Sequence, residues 1–283
     1  MKILVTGAAG MLGSALVSRL SPDHDVTGVD VGDFNLANLD ITVRSVREAA
    51  PDVLVNCAAW TDVDGAEANE TGAFLVNAVG AKNAALAANE AGARILQVST
   101  DYVFDGRTDT PYIESDPVSP CGVYGRSKWM GERFVMDVAD RWTIVRTQAL
   151  YGAQGPSFVK AISARVAAGE ALSVVEDQTV SPTRAADLAD AIARIVAEGT
   201  PGIYHASSRG MCTWFDFAQE ICAGLGKADH PISAMKSEYL DRPAPRPAFS
   251  VLRNLHLELT IGDVLPHWKE ALATHLQETA ENA

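Results

Sequence analysis

Cysteine is scarce in this chain, and the four present, Cys57, Cys121, Cys212 and Cys222, form no CxxC pair and no ligand-like spacing with the six histidines. A disulfide-stapled scaffold and a zinc-ribbon or zinc-finger site are therefore excluded, and free thiols in a reducing compartment are expected. Long apolar runs are also missing: none reaches the ~20 residues a bilayer-spanning helix needs. The opening stretch MKILVTGAAGMLG is broken by glycines before a signal-peptide core can develop, so a cytoplasmic protein with no membrane partner is expected. Positive charge is in deficit, with 23 Lys+Arg against 36 Asp+Glu and a formal net charge of -13. Such a balance repels nucleic-acid backbones and anionic lipid at long range, so no nucleic-acid partner is expected. It does not exclude an anionic small ligand, because a helix N-terminus binds phosphate locally. No internal repeat and no low-complexity tract is present.

What is present suits a large core: 47% hydrophobic and 21% charged residues over 283 positions, enough for one large or two closely joined domains. Short apolar runs at Lys2–Thr6, Asp25–Asp30, Val53–Ala58, Arg94–Ser99 and Trp142–Arg146 read as strands. Helix-periodic stretches at Leu12–Leu20, Val43–Ala50, Gly72–Ala91 and Ser127–Val138 lie between them. Strands apolar on both faces that alternate with helices predict an α/β fold, a Rossmann-type doubly wound parallel sheet. Residues 1–150 are expected to form the dinucleotide-binding domain, and 151–283 a mixed region that completes it and adds a smaller C-terminal substrate-binding lobe. In that second part, helices are expected at Phe158–Ala168, Ala185–Glu198, Trp214–Gly224 and Trp268–Gln277, a strand at Gly202–Ala206, and extended chain around Pro243, Pro245 and Pro247.

The first strand runs into Gly7-Ala8-Ala9-Gly10-Met11-Leu12-Gly13 and then a helix. Gly7 permits the tight turn, Gly10 lets backbone N–H groups approach a pyrophosphate, and Gly13 lets helix and sheet pack closely. Asp30 closes the second strand, where an adenosine ribose would lie; with no Lys or Arg in Val31-Gly32-Asp33, it favours NADH over NADPH. A second motif, Tyr124-Gly125-Arg126-Ser127-Lys128, puts a phenol and an ammonium on one helix face. The ammonium is expected to lower the phenol's pKa from its ordinary ~10 and make Tyr124 a usable proton donor. Ser99-Thr100-Asp101 ends the preceding strand and supplies a hydroxyl at the sheet's carboxyl edge.

Together with these motifs, the stretches PDVLVNCAA (51–59), TDVDGAE (61–67), STDYVFDG (99–106), Asp177-Gln178, Pro182-Thr183 and RPAFS (246–250) resemble the dTDP-4-dehydrorhamnose reductase family of extended short-chain dehydrogenase/reductases. The resemblance implies NADPH- or NADH-dependent reduction of the 4-keto group of a nucleotide-linked 6-deoxysugar, dTDP-linked, in a monomer or homodimer. It implies Tyr124, Lys128 and Thr100 as catalytic residues. Cofactor contacts are implied at Gly7, Gly10, Met11, Leu12, Gly13, Asp30, Asp40, Ile41, Ala59, Trp60, Thr61, Tyr124 and Lys128. Substrate contacts are implied at Thr100, Asp101, Ala149 and Arg246, where arginines of a Pro-stiffened loop suit a diphosphate.

Two features depart from the family pattern. Gln148-Ala149 follows Arg146-Thr147 where relatives present Ser-Trp, and Ala15 and Ala186 stand where some relatives place Mg²⁺-binding glutamates, so no metal is expected. Trp214 and Trp268 are expected to pack the lobe, and Cys57 to be an inert core thiol. Two rivals stay open: a nucleotide-sugar epimerase or dehydratase, for which Asp101 beside Thr100 offers an acid, and a non-catalytic regulatory subunit of the same fold.

Overall fold

The computed structural model describes residues 1–281. Its central sheet contains β1 (Lys2–Thr6), β2 (Asp25–Val29), β3 (Val53–Asn56), β4 (Arg94–Thr100), β5 (Trp142–Thr147) and β6 (Gly202–His205). All neighbours are parallel, in the order β6-β5-β4-β3-β1-β2. The period-two alternation of a strand splits each apolar run between two cores. Ile3, Val5, Val53, Val55, Leu96 and Val98 face one, while Leu4, Leu54 and Ile95 face the other.

Helices α1 (Met11–Leu20), α2 (Leu39–Ala49), α3 (Gly80–Glu90), α4 (Val123–Val138), α5 (Phe158–Ala167), α6 (Ala185–Glu198), α7 (Trp214–Gly224) and α8 (Trp268–Glu281) complete the main architecture. Leu12, Leu16 and Leu20 of α1 join Leu188, Ile192 and Ile195 of α6 in the first core. Val46 of α2, the alanines of α3 and Val135 of α4 fill the second. Covering both faces makes the sheet doubly wound, as expected. From β1 the chain steps outward to β2 and then crosses back to β3, so a switch point opens between β1 and β3 at the strands' carboxyl ends.

Several boundaries differ from expectation for local reasons. Strand β3 stops at Asn56 because its side chain takes the Ala58 N–H at 3.2 Å and turns the chain. Helix α2 starts earlier, at Leu39, where the Asn38 side chain caps it by accepting the Ile41 N–H at 3.1 Å. The run expected as one helix over 72–91 is broken into Glu70–Phe74, a π-helical turn Leu75–Val79 and α3. A short helix at Val63–Ala68 was not anticipated, since Gly65 and two acidic residues obscure its periodicity; Asp62 caps it.

Residues 185–205 return to the sheet as α6 and β6, while α5, α7 and α8 form the lobe. The lobe core gathers Tyr151, Val159, Ile162, Phe217, Ile221, Trp268 and Leu272, with Trp214 packed against it, so both tryptophans serve packing as expected. No described helix is long and apolar enough to cross a membrane.

Candidate active site

A cleft of about 980 Å³ runs across the carboxyl ends of the strands, from the glycine turn to the seam between β5 and the lobe. The three turn glycines do different work. Gly7 has φ +69, and a Cβ there would lie 2.7 Å from the Ala58 nitrogen; a Cβ on Gly13 would lie 2.1 Å from the Gly7 carbonyl oxygen. Both are therefore required by the packing of the chain itself. Gly10 has an ordinary φ of -74, and its Cβ would meet only the Gly7 oxygen at 3.1 Å. Its lack of a side chain keeps the start of α1 open: no side chain caps this helix, and its first N–H groups face the cleft wall formed by Gly10, Met11, Leu12 and Gly13. That is the chemistry of a pyrophosphate seat.

Asp30 is held beside this turn. One carboxylate oxygen accepts the Ala9 N–H at 2.9 Å and the other the Val31 N–H at 2.8 Å. Lys128 is the only Lys or Arg among the described cleft-lining residues, so no cation stands near Asp30 to balance a 2′-phosphate. The cleft wall continues through Phe34, Asn35, Leu36 and Ala37, which sequence reasoning missed because they belong to no regular element. Asp40 and Ile41, expected to contact cofactor, do not line it. They sit in the first turn of α2, where Asp40 favours the helix dipole, and Asp40 instead lines a separate groove with Val43, Arg44 and Glu90.

The floor is a buried polar ladder across three strands. Thr6 Oγ1 donates to Asn56 Oδ1 at 2.6 Å, and Asn56 Nδ2 donates to Gln97 Oε1 at 2.7 Å. Above it, Ala59, Trp60 and Thr61 line the cleft, pinned by Asn77 of the π-turn. Asn77 Oδ1 accepts the Trp60 N–H at 2.8 Å, and its Nδ2 donates to Ser127 Oγ at 2.9 Å. One asparagine thus fixes the loop after β3 against α4. The extra residue of a π-turn, common at functional sites, is the signal that could have found it.

Tyr124 and Lys128 face the cleft from α4, with Thr100 and Asp101 opposite at the end of β4. Burial pushes the Tyr124 phenol up to about 12, opposed by its hydrogen bond with Thr100 and reinforced by the charge of Asp101. Burial likewise pulls Lys128 down to about 8, against the pull of Glu132 and Cys57. The expected lowering of the phenol by the ammonium is not met: Lys128 Nζ donates to the Val98 carbonyl at 2.7 Å, and desolvation outweighs any attraction. Tyr124 is consequently held protonated at neutral pH. Glu132, one turn beyond Lys128, is locked by Arg146 in a fully buried bidentate pair at 2.9 and 2.7 Å.

Thr100 Oγ1 donates to Asp101 Oδ1 at 2.9 Å. Burial raises the Asp101 carboxyl to about 6, opposed by hydrogen bonds from Ser250, Thr100 and nearby backbone. Ser250 belongs to RPAFS, which packs on STDYVFDG: Phe249 N donates to the Gly106 carbonyl at 3.3 Å. Arg246 of the same motif does not line the cleft. Its guanidinium is engaged by Asp64 at 3.0 and 2.7 Å and by the Ala244 carbonyl, so it braces the 242–250 loop against the Val63–Ala68 helix instead of clamping a diphosphate. Ala149 does line the cleft, at a left-handed φ of 44. Cys57 lines it too, but burial drives its thiol up to about 12 and makes it a poor nucleophile.

A family model described as RmlD substrate binding domain matches residues 1–281. A dTDP-4-dehydrorhamnose reductase from Streptomyces griseus is 44% identical over 280 residues, covering 95% of this chain and 91% of that protein. The crystal structure of a dTDP-4-dehydrorhamnose reductase from Clostridium acetobutylicum superposes with a TM-score of 0.96 at 40% identity, over 99% of this chain and 100% of that one. A dTDP-4-dehydrorhamnose reductase from Bacillus anthracis, solved in complex with NADP, gives a TM-score of 0.93 at 36% identity over 98% and 99% of the two chains.

Proposed function

The chain belongs to the dTDP-4-dehydrorhamnose reductase family, and we propose that its cleft reduces the 4-keto group of a dTDP-linked 6-deoxysugar with Tyr124 as proton donor. It is an NAD(P)H-dependent oxidoreductase of the extended short-chain type, with the Rossmann-like sheet of that class. The observation that carries the residue assignment is the convergence of Tyr124, Lys128 and Thr100 at one end of a cleft whose other end is the glycine turn.

The donor set fits a dinucleotide. The open start of α1 at Gly10 suits a pyrophosphate, Asp30 suits ribose hydroxyls, and Ala59, Trp60 and Thr61 wall the path toward Lys128. When bound there, NADH or NADPH supplies the hydride. Thr100 and Tyr124 then hold the keto oxygen between two hydroxyls, and the phenol gives it a proton as negative charge develops. A phenol kept neutral by burial is in the state a reduction requires. Lys128 steadies the phenolate that remains and binds ribose hydroxyls next to it. Thr100 Oγ1, which donates to Asp101 at 2.9 Å in the unliganded cleft, has a single proton, and turning it to the keto oxygen gives up that bond.

Four unpaired cysteines suit a reducing cytoplasm, where we place the protein. The test is incubation of the purified enzyme with dTDP-4-keto-6-deoxysugars and NADH or NADPH, following loss of the reduced-cofactor absorbance. Stoichiometric cofactor oxidation is expected. Sugar interconversion without net oxidation would assign an epimerase instead, and no reaction with cofactor still bound would assign a regulatory subunit.

A further inference from the structure

Glu132 and Arg146 meet out of reach of solvent, their side chains 0% and 1% exposed. Arg146 Nε and Nη2 donate to the two Glu132 oxygens at 2.9 and 2.7 Å, so both oxygens act as acceptors and the group is a carboxylate. Neither residue lines the cleft. The third guanidinium nitrogen, Nη1, has no hydrogen-bond partner among the described residues, and the guanidinium carbon stands 5.2 Å from the centroid of the Phe104 ring. A buried pair of this kind is a weak source of stability, because apolar residues of similar volume commonly serve as well or better. Its place in the fold gives it another use.

Helix α4 carries Tyr124, Lys128 and Glu132 at steps of four, so the three side chains follow one another along a single face. Lys128 is 5% exposed, and its Nζ donates to the Val98 carbonyl, a dipole and not a counter-ion. The titratable groups around it are Tyr124 and Glu132 on its own helix, Cys57 after β3 and Asp101 at the end of β4, with Arg146 of β5 bound to Glu132. Tyr124 and Cys57 are uncharged at neutral pH, since burial lifts each to about 12, and Asp101 is engaged by Ser250 and Thr100. Glu132 is the group that most opposes the desolvation of Lys128. Arg146 has its own part in this: a lone carboxylate in a dry interior takes up a proton, and a guanidinium, which does not lose its own, prevents that.

We infer that Glu132 is a positioning residue for the reduction: gripped at both oxygens by Arg146, it supplies from behind the cleft wall the counter-charge that keeps Lys128 an ammonium. The inference rests on the proposed function, in which Lys128 steadies the phenolate left on Tyr124. An uncharged amine cannot do so, and activity is expected to be lost as Lys128 gives up its proton, near pH 8 in the folded chain.

Wild type and Glu132→Gln are compared from pH 6 to 10 in two ways: kcat/KM on a dTDP-linked 4-keto-6-deoxysugar with NADPH, and urea unfolding of the cofactor-free protein. In the variant the alkaline limb of kcat/KM is expected to move down by about one pH unit, leaving activity within about three-fold of wild type at pH 6 and about 10-fold lower at pH 9. Because folded Lys128 releases its proton below the ordinary 10.5, its contribution to stability rises with pH, from about 8 in wild type and from about 7 in the variant. Should Glu132→Gln fail to fold around an unpaired Arg146, Glu132→Met combined with Arg146→Met removes both charges and keeps the volume. The same downward displacement is expected there, smaller because the repelling guanidinium is gone too. Parallel pH profiles with a uniform loss, or an onset of the stability rise that stays in place, would overturn the inference. Wild-type protein inactive on such sugars, with the onset still displaced in the variant, would overturn the proposed function alone.

Discussion

At the β1–β2 end of the cleft the turn is held by neighbours, Gly10 N–H on the Gly7 carbonyl and Ala9 N–H on Asp30, 21 positions along. At the β4–β5 end, Asp101 is reached by Ser250, Gln148 by Ser181, and Asp64 by Arg246 across 182 positions. The first end is built by one βα unit, whose turn is held within the unit while no side chain caps the first N–H groups of α1. The second is assembled from distant segments. The contrast separates a general task from a particular one. Any dinucleotide presents the same pyrophosphate, so a local backbone device serves; a sugar is told from its relatives by individual hydroxyls, which only placed side chains can read.

The strongest way to break the second end alone is Tyr124→Phe. Removing the phenolic oxygen is expected to cut turnover by about 10²–10⁴-fold, the usual worth of a positioned general acid, while NAD(P)H affinity stays near wild type. Steady-state kinetics beside a cofactor titration decide it, and turnover within about two-fold of wild type would remove Tyr124 from the mechanism.

The first end is dissected by two glycines of the same turn. Gly10→Val is expected to weaken NAD(P)H binding about 10–100-fold with a smaller fall in the thermal midpoint than Gly7→Val, because its Cβ meets only the Gly7 carbonyl oxygen, at 3.1 Å. Gly7→Val is expected to lower the midpoint sharply, since φ +69 and a Cβ 2.7 Å from the Ala58 nitrogen strain the fold itself. Unchanged cofactor affinity in folded Gly10→Val protein would make the whole turn merely structural.

The gentlest probe is acid, through His205 at the end of β6. Burial, aided by the Arg146 charge, lowers its pKa to about 3, with its Nδ1 3.1 Å from the Tyr112 carbonyl. Between pH 6.5 and 3 the unfolded chain therefore binds the proton that the folded chain refuses, and stability falls as pH falls. Asp101 acts in the opposite sense, because its folded carboxyl takes a proton at about 6, above the ordinary value of 3.8. His205→Gln should flatten the acid slope of urea-unfolding free energy by up to about 1.4 kcal/mol per pH unit. An identical slope in variant and wild type would show that the imidazole takes up its proton at the same pH in the folded and unfolded chain.

How far the sequence could be read follows the same division. Strand and helix alternation, Gly7, Gly10 and Gly13, Asp30 and the Tyr124–Lys128 pair were all legible, because hydrophobic period, turn chemistry and one-turn helix spacing are properties of neighbouring residues. Asp40 and Ile41 fall in the first turn of a helix capped by Asn38, outside the cleft lining that Phe34, Asn35, Leu36 and Ala37 form. Arg246 was expected to contact the substrate's diphosphate because nothing in its own loop reveals that Asp64 engages it. The lowered phenol pKa was expected from a charge four residues away, and burial, which no spacing encodes, reversed it.

What the sequence by itself determined is thus the doubly wound fold, the dinucleotide turn and the pair on α4, all written within single βα units. Only the tertiary structure decided that Asn77 pins Trp60 to Ser127, that Arg246 is a brace, and that Tyr124 is held protonated. The reason is physical: desolvation and hydrogen-bond satisfaction depend on which surfaces meet, and those surfaces come from segments far apart along the chain.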